Sequence, residues 1–184
     1  MGQIGAPEPI TPSHSVESFA CAIPVLDEWL KRRALKNKVS GASRTFVVCH
    51  DGQVSGYYAL STGGVEHRDA PKKLRRNMPD PIPVMVLGRL AVDKQWQQAG
   101  LGRSLLKDAV LRTVSVSQLV GVKALLVHAL SEDAKTFYAH NGFLESPLDP
   151  MTLVISLRAA ANNLQERFSP EARVPKTIGS LLRS

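Results

Sequence analysis

Two glycines spaced two apart, Gly100 and Gly102, stand behind an apolar run and ahead of an amphipathic stretch, in the segment VDKQWQQAGLGRSLL, residues 92–106. A helix opening presents N–H groups without intrahelical partners and a partial positive charge. Glycines there let a phosphate approach the backbone, because no Cβ intervenes. Arg103 adds a formal charge and Ser104 a hydroxyl. The chemistry such a turn offers is the holding of a phosphate or pyrophosphate. The alternative is a strand-to-helix turn that uses glycine for steric reasons alone. The third glycine of a dinucleotide fingerprint is missing, and no Lys-Ser/Thr pair follows as in a P-loop. Gln97, three residues before Gly100, extends the pattern to Q-x-x-G-x-G.

A second constellation follows, A-x-x-F-Y-x-x-x-G-F from Ala134 to Phe143. A tyrosine is protonated at neutral pH and can serve as a general acid; Tyr138 is the candidate, against the plainer reading of a core tyrosine. No base stands out: His128, Glu132, Asp133 and Glu145 are all open. Arg89 sits inside the apolar run VMVLGRLAV, where a charge must be paired or face a cavity. A place in an acceptor cleft and an internal salt bridge are its two readings. The two cysteines and five scattered histidines show no zinc spacing, so no metal site and no disulfide framework is expected.

These residues need elements to position them. Pro24 suits a helix first turn, and Leu26, Trp29, Leu30 and Ala34 follow at helical spacing. SRTFVVCHDGQVSGYYAL reads as a hairpin around Asp51-Gly52, ended by Gly63-Gly64. Residues 66–83 form a basic loop with one helical turn, closed by prolines. VMVLGRLAV suits a central strand. A helix runs from Leu101 with Leu105, Ala109, Val116 and Val120 on one face. KALLVHAL is a buried strand. SEDAKTFYAHNG is a helix with Ser131 as N-cap, acids in its first turn and Gly142 as its stop. FLESP and MTLVISL supply the last strands. This order is α/β with a mixed sheet.

The 184 residues suffice for one well-buried domain. No apolar run approaches the ~18 residues that cross a bilayer, no secretory signal is evident and the myristoylation pattern fits poorly. A cytoplasmic protein with no membrane partner is expected. The formal charge of +7 favours an anionic partner. Lys31, Arg32, Arg33, Lys36 and Lys38 make one basic run; His67, Arg68, Lys72, Lys73, Arg75 and Arg76 make another.

The pair of constellations resembles motifs A and B of the GCN5-related N-acetyltransferases, the GNAT fold. In that family the first motif binds the pyrophosphate of coenzyme A, and the strand before it splays from its neighbour to pair with the pantetheine arm. LGRLAVDKQWQ, HALSEDAKTFY and FxCxxPxLDEWLKRRALKN further resemble the acetyltransferase toxins of bacterial type II toxin–antitoxin systems, the TacT-like group, over roughly residues 10–157. One departure is visible: the group's F-D-C-G reads Phe19-Ala20-Cys21-Ala22 here.

The resemblance implies a single-domain GNAT fold over 1–157, with a mixed, mostly antiparallel sheet flanked by helices. Residues 1–9 are expected to be flexible and 158–184 to form a helical tail. It implies acetyl-CoA as acetyl donor and the α-amine of aminoacyl-tRNA as acceptor, with translation blocked. Leu90, Ala91 and Val92 then offer backbone groups to pantetheine. Gln97, Gln98, Gly100, Gly102, Arg103 and Ser104 hold the pyrophosphate. Ser131 lies near the pantetheine, or only caps its helix. Tyr138 protonates the leaving thiolate. Lys31, Arg32, Lys36, Lys72, Lys73, Arg75, Arg76 and Arg89 are the expected tRNA contacts, gripping phosphates without reading sequence. A ribbon-helix-helix antitoxin and a homodimer are the implied partners. A free α-amine titrates near ~7.7–8.0 against ~10.4 for lysine, and an ester lowers it further, so much of such a substrate arrives neutral. The rival functions are acetylation of a small amine or protein, and a non-catalytic acyl-CoA-binding regulator.

Overall fold

The computed structural model describes residues 4–168. Its frame is a seven-stranded, mostly antiparallel sheet. β1 (Glu8–Pro9) pairs with β2 (Arg44–His50), which pairs with β3 (Gln53–Val65), all antiparallel. The two-residue turn between β2 and β3 has both residues left-handed, Asp51 at φ 50° and Gly52 at φ 78°. That geometry matches the twist of a tight hairpin. β3 does not end at Gly63-Gly64, where the sequence predicted its stop. It continues through them to Val65, paired with β4 (Ile82–Val92) from Gly56↔Val92 to Val65↔Ile82. Cross-strand pairing outweighs the glycines' weak strand preference, and a Cβ on Gly63 would lie 2.8 Å from Val86 Cγ2.

β4 and β5 (Ala124–His128) are parallel, and β5, β7 (Thr152–Ser156) and β6 (Leu144–Glu145) are antiparallel neighbours. A parallel pair requires a crossover, supplied by helix α4 (Leu101–Ser117). α4 buries Leu101, Leu105, Leu106, Ala109, Val110 and Thr113. It ends before Val120, which the periodicity had placed on its buried face and which is exposed. The helix predicted from Pro24 onward is two, α1 (Pro24–Arg32) and α2 (Ala34–Ser40), broken at Arg33. The loop before β4 holds two short turns, a 3-10 turn at His67–Asp69 and α3 (Lys72–Arg75), where the sequence predicted one. α5 (Glu132–His140) and α6 (Leu157–Phe168) complete the order. Of the tail 158–184, residues 169–184 lie outside the described residues.

The sheet separates two packed layers. On one face α4, α5 and α6 cover Tyr58, Met85, Leu87, Leu125, Val127 and Leu153. On the other face α1 packs with Phe19, Tyr57 and Ala91, and the α3 region packs Ala70 and Leu74 on Ile82, Val84 and Leu126.

Candidate active site

The register of β4 creates an opening in the middle of the sheet. Toward β3 its pairing shifts between Ala59↔Arg89 and Leu60↔Leu87, leaving Gly88 as a bulge, then runs on to Val92. Toward β5 the pairing stops at Leu87↔Val127. From Gly88 to Val92 the strand therefore has a neighbour on one side only, and the bulge bends it away. Leu90, Ala91 and Val92, the residues predicted to meet pantetheine, all lie in this one-sided stretch. The Val92 carbonyl is taken by Gln97 Nε2 at 3.0 Å.

At the end of β4 the glycine turn begins. Gln97 Nε2 also donates to the Cys21 carbonyl at 2.9 Å. The Asp93 carboxylate accepts from the amides of Ala20 at 3.0 Å and Gln95 at 3.0 Å. The Phe19–Ala22 stretch is thereby tied to the start of the cradle. Ala22 holds φ 76°, a left-handed backbone at the position where the resemblance leads one to expect glycine. Gln97 thus braces the loop, while Gln98 is exposed with φ 63° and Gly100 caps α4 at φ 83°. Gly100 needs its left-handed backbone. Gly102 does not: a Cβ there would meet only Val92 Cγ2 at 3.7 Å, an ordinary contact. The space over Gly102 is open, and Arg103 and Ser104 are exposed beside it.

The two helices that follow β4 and β5 begin differently. α5 is capped by the Ser131 hydroxyl, which accepts from Ala134 N at 3.1 Å, and has Glu132 and Asp133 in its first turn. α4 has no side-chain cap and no acid in its first turn. Its N–H groups and positive dipole end are left for an external anion.

Tyr138, on α5, is buried among rings, with centroids 5.2 Å from Phe137 and 5.5 Å from Phe143. Burial pushes its phenol above the usual value, so it stays protonated. It belongs to the packed cluster on the α4 face. Burial also pushes the Cys21 thiol up to about 11, which removes it as a nucleophile near neutrality.

Arg89 faces the opposite layer. Its guanidinium lies 5.4 Å from the Trp29 ring centroid, and Nη1 donates to the Gly88 carbonyl at 2.6 Å. Nε is buried with no partner, and no carboxylate pairs with Arg89 among the described residues. The internal salt-bridge reading is thereby set aside. The predicted basic groups flank Arg89 on this same face. Lys31, Arg32 and Lys36 lie on α1 and α2; Lys72, Lys73, Arg75 and Arg76 lie on or beside α3. Lys72, Lys73 and Arg76 are exposed. Arg32 is held by Glu28 at 2.6 Å, and Arg75 donates to the His67 carbonyl at 3.3 Å.

Sequence reasoning left one cluster unassembled. His128, at the end of β5, stands opposite Thr152 in the register, with Nδ1 2.8 Å from Thr152 Oγ1. Thr152 Oγ1 donates to Asp149 Oδ2 at 2.7 Å. Only strand pairing brings these positions together; the interval between them carries no recognisable pattern.

A splayed parallel pair, an open helix N-terminus on a glycine turn and a buried phenol on the next helix define an N-acetyltransferase. Residues 41–145 match the acetyltransferase (GNAT) domain family, and the chain belongs to it. Among curated proteins it is 49% identical over 160 residues to the tRNA-acetylating toxin of Mycobacterium tuberculosis (strain ATCC 25618 / H37Rv), covering 87% of this chain and 96% of the relative. Among solved structures, AtaT complexed with acetyl-methionyl-tRNAfMet superposes with a TM-score of 0.81 at 27% identity, covering 88% of this chain and 99% of that one. A tyrosine-to-phenylalanine mutant of the AtaT toxin, bound to the C-terminus of the antitoxin AtaR and acetyl-CoA, gives a TM-score of 0.75 at 28% identity, with 87% and 97% covered.

Proposed function

We propose that this protein transfers acetyl from acetyl-CoA to the α-amine of aminoacyl-tRNA and so blocks translation. The observation that carries the reading is the placement of both basic groups and Arg89 on the face into which the β4–β5 opening leads. It is supported by the 49% identity to a tRNA-acetylating toxin.

The residues present fit acetyl-CoA. The uncapped N-terminus of α4, with free space over Gly100 and Gly102, accepts the pyrophosphate. Gln98, Arg103 and Ser104 stand at its edge, while Gln97 shapes the loop. Leu90 and Ala91 offer main-chain groups to pantetheine along the one-sided stretch. Ser131 serves its helix as cap. Tyr138 gives its proton to the departing thiolate. Burial raises the phenol's hold on that proton, but the thiolate leaves into the same apolar surroundings, which favour its neutral form too. Lys31, Arg32, Lys36, Lys72, Lys73, Arg75, Arg76 and Arg89 guide the tRNA backbone, and Arg89, over the Trp29 ring, is the member of the set that lies on β4 itself.

A ribbon-helix-helix antitoxin is the proposed inhibitor, its acidic segment covering the same basic groups, and the toxin acts as a homodimer. No helix among the described residues is long and apolar enough to cross a membrane; cytoplasmic action follows from the substrate.

The test is transfer of labelled acetyl from acetyl-CoA to total charged tRNA. Labelling should vanish with deacylated tRNA and fall about 10²–10⁴-fold for Tyr138→Phe, the range for loss of a general acid, with acetyl-CoA affinity unchanged. Acetyl-CoA binding without labelling sinks the tRNA reading. Activity on small amines that ignores salt would then mark a metabolite or protein acetyltransferase. Binding indifferent to Tyr138→Phe, with no product at all, would mark a regulator.

A further inference from the structure

We propose that His128, oriented by Thr152 and Asp149, is the general base that removes a proton from the acceptor's α-ammonium. This rests on the acetyl transfer to an α-amine proposed above.

The hydrogen bonds fix the direction of the relay. Thr152 has one hydroxyl proton and gives it to Asp149 at 2.7 Å. The carboxyl is held below its usual range by that bond and by the Met151 amide, so it is ionised and accepts. Thr152 Oγ1 can then only accept from His128, which places the imidazole hydrogen on Nδ1. Nε2 is left with a free lone pair, and no group among the described residues occupies it. Imidazole is the side chain suited to proton exchange near neutrality.

The position fits the task. Strand alternation puts His128 on the same face as Leu126, in a cavity of about 430 Å³ floored by Val86 and Leu126. The charged groups facing it are all carboxylates: Glu66 and Asp69 from the segment after β3, and Asp149 from the loop before β7. Arg68 contacts both Glu66 at 2.7 Å and Asp69 at 3.8 Å. With one cation, Arg68, against three carboxylates, the wall stays net acidic, which favours an approaching ammonium. His128 is also the first residue of β5 past the last β4 pair, so it borders the gap opposite Gly88. A Cβ on Gly88 would meet nothing within 4 Å, so the gap is open there. Tyr138 belongs to the cluster on the α4 face and His128 to the cavity on the other face. Acid and base are thus placed on opposite faces of the sheet, with the β4–β5 gap opening between the faces.

The proton count closes. One ammonium proton passes to Nε2. The freed lone pair forms the N–C bond at the thioester carbonyl, the C–S bond breaks, and the thiolate takes the Tyr138 proton. The second amine proton returns to the phenolate through water. His128 releases its proton to solvent, so one proton leaves per acetylation.

The test is kcat/KM against pH for the full chain with saturating acetyl-CoA and a single aminoacyl-tRNA. His128→Gln should lose about 100-fold where the ammonium dominates. The deficit should shrink as pH rises through the amine's own titration, which the ester sets below the ~7.7–8.0 of a free α-amine. Thr152→Val should show a smaller deficit of the same shape, rescued by Thr152→Ser. Acetyl-CoA affinity should be unchanged in all three. A deficit that is flat with pH, or none beyond twofold, overturns the proposal. Nitrogen NMR of the wild-type imidazoles gives a readout independent of any substrate: His128 should be the Nδ1–H tautomer when neutral, and an Nε2–H tautomer overturns the relay. Wild-type protein that labels no aminoacyl-tRNA condemns the tRNA reading and this base with it, and an Nδ1–H tautomer then marks a structural relay only.

Discussion

Gly102→Asp should make the protein more stable and its donor binding much worse. The opposite signs follow from what the structure leaves at the start of α4. A side chain at 102 meets only Val92 at 3.7 Å, so the apo protein accepts one without strain. Replacing glycine near a helix start gains a few tenths of a kcal/mol in propensity. A carboxylate in a first turn that has no acid gains about 0.3–1 kcal/mol from the dipole. Together these give about 0.5–1 kcal/mol, or a rise in Tm of about 1–4 °C for a chain of this size. The same carboxylate would sit where the pyrophosphate approaches. Repulsion at ~4 Å is about 1 kcal/mol in water and about 4 kcal/mol at the effective dielectric of a protein surface. A loss near 2 kcal/mol is about 30-fold in affinity. Calorimetry with acetyl-CoA and thermal melts without it measure both arms. Gly102→Asn, of like volume and no charge, separates crowding from repulsion, and the charge-dependent part should shrink with salt. Affinity within about threefold of wild type for Gly102→Asp would refute the cradle.

Burial raises the phenols of Tyr57, Tyr58 and Tyr138 above their ordinary value. Below about pH 10 all three are neutral in both states and add no pH dependence. Above it the unfolded chain ionises and the folded one does not, so stability should fall by about 1.4 kcal/mol per pH unit for each tyrosine. Denaturant titrations across that range check this; a flat profile would contradict it. Ala22→Gly should stabilise by about 0.5–1 kcal/mol, because left-handed backbone on alanine costs about 1–2 kcal/mol and the more flexible unfolded chain offsets part of the gain. Urea melts decide, and a destabilised Ala22→Gly would show that the turn is not strained. Combined Lys72→Gln, Lys73→Gln and Arg76→Gln should lower the slope of log affinity for tRNA against log salt by about one per lost phosphate contact, with acetyl-CoA binding intact. An unchanged slope would remove α3 from the tRNA path.

The donor half of the site was legible because its chemistry is local. Gln97, Gly100 and Gly102 fall within six consecutive residues, and the flanking periodicities announce a strand and a helix. Ser131 could be read as a cap from its neighbours alone. The acceptor half was not legible, because it depends on register. Nothing near Gly88 in the chain says that it bulges, or that pairing with β5 stops one residue earlier. His128 was one candidate among four until β7 set Thr152 beside it. Gln97 shows the converse: its motif position suggested a ligand contact, whereas the fold turns its amide back onto Cys21 and Val92.

The single parallel pairing among the described strands also sets when the enzyme comes into being. β2, β3 and β4 are successive antiparallel neighbours and close on one another in chain order. β5 joins them only after α4 has crossed the sheet, a non-local step of the kind that slows folding. The gap is defined by β4 and β5 together, so a chain with only its early hairpins formed has no donor channel. Competence is therefore gained late and all at once, and a half-finished chain has no acetyl-transfer site while it is being made. Pulse-labelled hydrogen exchange should find the amides of β2 to β4 protected before those of Ala124–His128; the reverse order would mean that the channel assembles first.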